Sequence, residues 1–144
     1  MKSIILALIL LVAGSTVSLA QCDKNVSIYS SKSQQLDGSG AVQQTIDETT
    51  DLQFNKTDIT VVTDNGNHKM TGKIKSLTCD WKVPFKEGKT VITTTLNDDN
   101  GGDGKDFTIT IEGKDGKVTL VAESPQKPDR KIKLDLEKFE EKKS

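Results

Sequence analysis

The sequence predicts an all-β domain. The expected architecture is a single antiparallel up-and-down meander of about eight to ten short strands, closed or partly closed into a barrel, with a β-sandwich as the alternative. Three observations predict it. Apolar and polar residues alternate with a period of two in several segments. Gly, Asn, Asp and Pro recur between those segments. Beyond the first twenty residues, no stretch carries the i, i+3, i+4 spacing of an amphipathic helix.

The opening "MKSIILALILLVAGSTVSLA" stands apart from that pattern. It has one Lys at position 2, an apolar run from Ile4 to Ala13, and small residues Ser18 and Ala20 placed at −3 and −1 of a cut after Ala20. This is the layout of a secretory signal, of the short bacterial kind, and the run is about half of what a bilayer span needs. Residues 1–20 are therefore expected to be removed, leaving 21–144 as one all-β domain with no transmembrane segment. The competing expectation is a lipid anchor on Cys22. The residue before a lipidated Cys is small, and here it is Gln21.

Charge excludes one class of partner. The chain holds 20 basic and 21 acidic side chains, a formal net charge of −1, with the basic residues dispersed among acids. Removal of the signal takes Lys2 as well. Such a balance gives no electrostatic footprint for nucleic acid. Both cysteines, Cys22 and Cys79, fall in the exported part, where an oxidising compartment favours one intramolecular disulfide. Closing so long a loop stabilises a fold by roughly 4 kcal/mol on the chain-entropy view.

The strands follow in order. "NVSIYS" and "AVQQTIDETTDLQF" are extended segments separated by the turn "DGSG". In "DITVVTDNGNHKMTGKIKSL", Ile59 and Val61 share a face before a turn at Asn65-Gly66. Met70, Gly72 and Ile74 share a face after it, and Gly72 in mid-strand suggests a bend or bulge. "TVITTTL", residues 90–96, is β-branched and favours strand. The plainest unit is "DFTITIEGKDGKVTLVAE", residues 106–123, where alternation on both sides of Asp115-Gly116 predicts a hairpin. After the Pro-rich connection "SPQKPD", the segment "DRKIKLDLEKF" alternates Ile132, Leu134 and Leu136 with polar residues.

This order of features resembles a small bacterial lipocalin-like (calycin-type) domain. "NVSIYSSKSQQLDGSGAV" is similar to the first strand and turn of such domains, and "LQFNKTDITVVTDNG" to the following hairpin. "TITIEGKDGKVTLVAE" and "KIKLDLEKF" resemble the closing strands. The family pattern places a Trp behind a Gly in the first strand; here that region has Tyr29, and the one Trp is at position 81. The resemblance implies a barrel that binds a small hydrophobic ligand.

Few residues suggest chemistry. In "SLTCDWKVPF", Cys79 and Trp81 stand two apart and so face one side of a strand. Trp81 then either packs against the disulfide as part of the core or stands at a cavity mouth, where it would contact ligand with Met70. His68 is the single histidine and lies beside a turn, with no G-x-S-x-G elbow to serve. One His and two paired Cys cannot fill a zinc shell. "NDDNGGDGKD", residues 97–106, gathers Asp98, Asp99, Asp103 and Asp106, but an EF-hand starting at Asp99 would have Thr110 where a bidentate Glu belongs.

The expectation is thus a non-catalytic secreted or periplasmic binding protein for a small hydrophobic or lipid-like ligand, with no cofactor and no metal. The alternative is a protein–protein interaction module, such as an inhibitor of an extracellular hydrolase.

Overall fold

The structure, a computed structural model, describes Cys22, residues 24–99, Gly101 and residues 103–142. The expected signal segment and its cleavage point lie outside the described residues. Eleven strands form one antiparallel sheet: β1 (Val26–Ser30), β2 (Ser33–Asp37), β3 (Val42–Ile46), β4 (Thr50–Phe54), β5 (Asp58–Thr63), β6 (His68–Val83), β7 (Glu87–Asp98), β8 (Lys105–Lys114), β9 (Lys117–Ser124), β10 (Lys127–Asp135) and β11 (Lys138–Glu141). A 3-10 turn, Asp64–Gly66, joins β5 to β6 at the expected Asn65-Gly66 position.

From β4 to β10 each strand pairs with its neighbour in sequence, which is the expected meander. The full order is β11-β1-β4-β5-β6-β7-β8-β9-β10-β2-β3. Here β1 and β2 lie eight strand spacings apart, about 38 Å in a flat sheet. Only Ser31 and Lys32 separate them along the chain, a reach of about 10 Å. The sheet must therefore roll up.

The seam of that roll is one long bent pair of strands. Val26 to Tyr29 face Glu141 to Lys138, and beyond the break Gln34 to Asp37 face Lys133 to Arg130 in the same register. On its flanks this pair meets β4 through β1 and β9 through β10. Both long strands break at the bend, so the ladder is not itself a closed ring. Ser30 Oγ bonds the carbonyl of Asp135 at 3.0 Å, and the Glu137 amide bonds the carbonyl of Tyr29 at 2.9 Å, across the break. The result is a partly closed barrel, its strand count raised by two bends.

Local chemistry explains the turns and the phase of the faces. Between β8 and β9, Asp115 (φ 53°) and Gly116 (φ 79°) supply the two positive φ values that a type I′ hairpin requires. In β6, Met70, Gly72 and Ile74 face inward, and so do Leu77, Cys79 and Trp81. A bulge between Ile74 and Ser76 in the pairing with β7 inserts the residue that shifts even to odd positions. The inserted residue is Lys75, three residues beyond Gly72, where the sequence suggested the bend or bulge. Gly72 itself is needed for close approach, since a Cβ there would come within 2.2 Å of the Thr95 carbonyl.

One apolar cluster fills the interior, including Ile28, Leu52, Ile59, Ile92, Ile111 and Leu134 from six different strands. That one cluster collects residues from so many strands is what rolling one face inward produces. Threonine is accommodated by internal bonding: Thr90 accepts from Trp81 and Thr94 donates to the Lys73 carbonyl at 2.7 Å. No buried side-chain nitrogen or oxygen among the described residues lacks a partner.

Candidate ligand recess at the barrel mouth

The two ends of the barrel differ. At the end carrying the β8–β9 turn, Trp81 lies over glycines. It pairs with Gly88, which pairs with Gly113. A Cβ at Gly88 would fall 2.7 Å from the indole Cδ2, and one at Gly113 would fall 2.9 Å from Cζ3. Phe139 stacks on Trp81 at 5.3 Å between ring centroids, and Phe85 meets Phe139 edge-on at 4.9 Å. These three rings plug this end. The Cys22–Cys79 disulfide, with Cα atoms 5.8 Å apart, joins the segment before β1 to β6 beside the plug. Such a bridge fits an extracellular or periplasmic location.

Trp81 is therefore a core residue, 2% exposed, with its N–H bonded to Thr90. It lines no part of the recess described below. Met70 lies toward the other end of the barrel, half-buried on β6 opposite Val61 and Asp98, and also stands outside the recess. The structure does not bring the two together.

A recess of about 400 Å³ opens at that other end, between β8, β9, β10 and β2. One rung of the sheet explains it: Ile109 pairs with Ala122, Ala122 with Ile132, and Ile132 with Gln35. Along this rung burial falls from Ile109 at 2% exposed to Ile132 at 44%. Two residues deeper, the rung Ile111–Leu120–Leu134 is fully buried and forms the floor of the barrel at this point. Phe107, at the start of β8, supplies an apolar wall. The size falls in the range of small-molecule sites.

The rim is charged. Lys105, Lys127, Arg130 and Lys131 line it, with Asp103 the one acid among them. Arg130 reaches the rim through an irregularity in β10. Lys127 pairs with Ser124, yet Lys131 pairs with Glu123, so Pro128, Asp129 and Arg130 bulge from the β9 ladder. Proline tolerates such a place because no ladder hydrogen bond is asked of it. The "SPQKPD" segment, expected as a connection, is mostly strand; only Pro125 and Gln126 form the turn. Gln126 braces it, accepting from Ser124 Oγ at 2.7 Å and donating to Asp106 at 3.3 Å.

The acids of the neighbouring strands already have partners. Glu123 pairs with Lys131 at 3.4 Å. Hydrogen bonds from Thr95, then from Lys75 at 3.1 Å and from Gln126, hold the Asp106 carboxyl below its ordinary pKa. Asp37, opposite Arg130, caps its own turn: the Ser39 hydroxyl and the Ala41 amide lower its pKa in the same sense. His68 Nε2 sits 3.1 Å from Asp98 beside the 3-10 turn, away from the recess. Among the described residues no three His, Cys, Asp or Glu side chains converge as a metal set. Nor is any helix among them long and apolar enough to cross a membrane.

Neither a family model nor a curated protein nor a solved structure matches this chain. Fold and site together define an all-β, disulfide-bridged domain with one plugged and one open end.

The rim residues carry no sequence signal of their own. Lys105, Lys127 and Arg130 are spread over the chain among other charged residues, and only the pairing of β8, β9, β10 and β2 groups them.

Proposed function

We propose that the chain is an exported, non-catalytic binding protein of lipocalin-like architecture, taking a small hydrophobic or lipid-like ligand. The apolar recess at the open end carries this reading. The interior favours a mouth site over a deep one, because Trp81, Ile92, Ile109 and Ile111 fill it and its buried hydroxyls already have partners. Export through a signal cut near Ala20 accords with the disulfide, which needs an oxidising compartment. The test is titration with decanol, followed by backbone amide shifts. Shifts confined to β8, β9, β10 and β2, abolished when Ala122→Phe fills the recess, are expected. Saturable binding elsewhere, or none, would overturn the mouth site.

A second reading, the protein–protein interaction module, draws on β3. Among the described residues that strand ends the sheet with one edge unpaired, and Val42 on it is 53% exposed. An open edge can accept a strand from another chain. Val42→Lys would then weaken capture of the partner and leave decanol binding unchanged.

A further inference from the structure

We infer that the ligand of the mouth recess is a free, single-chain anionic amphiphile, held by its acid group at the Lys127–Arg130 rim and by its alkyl chain along Phe107, Ala122 and Ile132. This rests on the binding reading above and specifies its chemistry.

Charge complementarity carries the assignment. The chain as a whole is slightly acidic, yet four cations and one acid line this mouth. Of the four, Lys131 is paired with Glu123. Lys105, Lys127 and Arg130 have no acidic partner among the described residues. The acids that could have neutralised them are held in other contacts: Asp106 by Lys75 and Thr95, and Asp37 by its own turn. Asp129 is next to Arg130 in sequence but does not line the recess. With Lys131 paired, three cations stand against the single acid Asp103, and a rim of net positive charge over an apolar wall is complementary to a molecule with one anionic end and one apolar end.

The geometry assigns the parts. Arg130 presents a planar guanidinium, whose paired N–H groups match the two oxygens of a carboxylate or of a sulfate or phosphate ester. The bulge of Pro128, Asp129 and Arg130 sets it at the rim, a usual role for a bulge beside a binding site. Lys127 and Lys105 add charge without fixed direction. Below them Phe107, Ala122 and the exposed side of Ile132 offer the apolar side-chain lining of the recess among the described residues. A neutral chain would bury apolar surface and leave the cations unanswered. A cationic one would be repelled.

The test compares decanoate, decanol and decyltrimethylammonium, each below its micelle concentration, by calorimetry at low ionic strength with amide shifts to locate binding. Decanoate is expected to bind at least about tenfold more tightly than decanol, since a charge-assisted hydrogen bond contributes about 1.5–3 kcal/mol. Lys127→Gln/Arg130→Gln is expected to abolish the roughly tenfold preference for decanoate over decanol. Both positions are exposed, and an unchanged melting temperature verifies the fold. Equal binding of decanoate and decanol in the recess would overturn the anionic assignment and keep the binding reading. Absence of all three from the recess would overturn both. Arg130-dependent sedimentation with phosphatidylglycerol vesicles, without decanoate binding, would mark a membrane-facing surface and overturn the free-ligand assignment.

Discussion

The indole nitrogen of Trp81 donates to the hydroxyl of Thr90 at 2.7 Å, and both side chains are buried. Thr90 also stands opposite Cys79 in the β6–β7 ladder, so the partner of the indole is carried on the strand next to the disulfide. The bond lets a large amphipathic ring lie in the interior without an orphaned N–H.

Thr90→Val keeps the shape of the side chain and removes the acceptor. The indole N–H is then buried without a partner, and the expected loss of stability is about 1–3 kcal/mol. Trp81→Phe removes the donor and also vacates volume, so it costs more. In a double-mutant cycle followed by urea denaturation, the two changes are expected to be less than additive, because the second removes the group that the first orphans.

The glycine floor under Trp81 is equally exacting. Gly113→Ala would place a Cβ 2.4 Å from the Lys86 carbonyl, which cannot give without moving backbone, and 2.9 Å from the buried indole of Trp81. A loss of about 3 kcal/mol is expected. Gly116→Ala is the comparison: its Cβ would meet nothing within 4 Å, and only the positive φ of 79° opposes it, for about 1–2 kcal/mol. Denaturation midpoints of the two variants check the ranking.

The disulfide closes a sequence separation of 57 residues. Cys22→Ser/Cys79→Ser is expected to lose about 4 kcal/mol on the chain-entropy view, with the sheet itself retained. Far-ultraviolet circular dichroism should be unchanged at low temperature while the melting temperature falls. Reductant should lower the melting temperature of the wild type and leave the double variant unaffected.

Acid should weaken the fold through three half-buried carboxylates. Bonding by Lys73 and Thr57 lowers the pKa of Asp58, bonding by Thr95, Lys75 and Gln126 lowers that of Asp106, and the Ser39 hydroxyl and Ala41 amide lower that of Asp37. A group whose folded pKa is depressed contributes stability that is present above its unfolded pKa and lost as pH falls through the folded one. The expected loss begins near pH 4, the ordinary carboxylate value, and proceeds downward. Asp58→Asn and Asp106→Asn should each lower stability at neutral pH and flatten this acid limb, as thermal melts between neutral pH and the acid extreme would record.

Legibility from sequence followed the range over which each feature is encoded. The hairpin through Asp115-Gly116 was readable because alternation and turn chemistry lie within a few residues of one another. The inward faces of Met70 to Ile74 and of Cys79 to Trp81 were each readable as well. Their relation was not, since the bulge between Ile74 and Ser76 is defined by pairing with β7. Trp81 was legible as a partner of the disulfide face. That it is sealed in the core became visible only through Gly88 and Gly113, which are distant in sequence and make room for its ring. The recess was the least legible part, because its walls come from Gln35, Phe107, Ala122 and Ile132, none of them adjacent in the chain.

By itself, then, the sequence determined the class of the fold, the meander of β4 to β10 and the pairing of two cysteines. Period-two patterning and the turn residues of hairpins act locally and survive any change in what lies far away. Tertiary structure alone decided the rest: that β1 leaves the meander for β4 and β11, that β2 takes its hairpin across to β10, and that four cations meet at one mouth. Ser30 bonds Asp135 over a separation of 105 residues. No local propensity specifies such a contact; it forms because the right-handed twist and the inward apolar face of the whole sheet bring its two ends together.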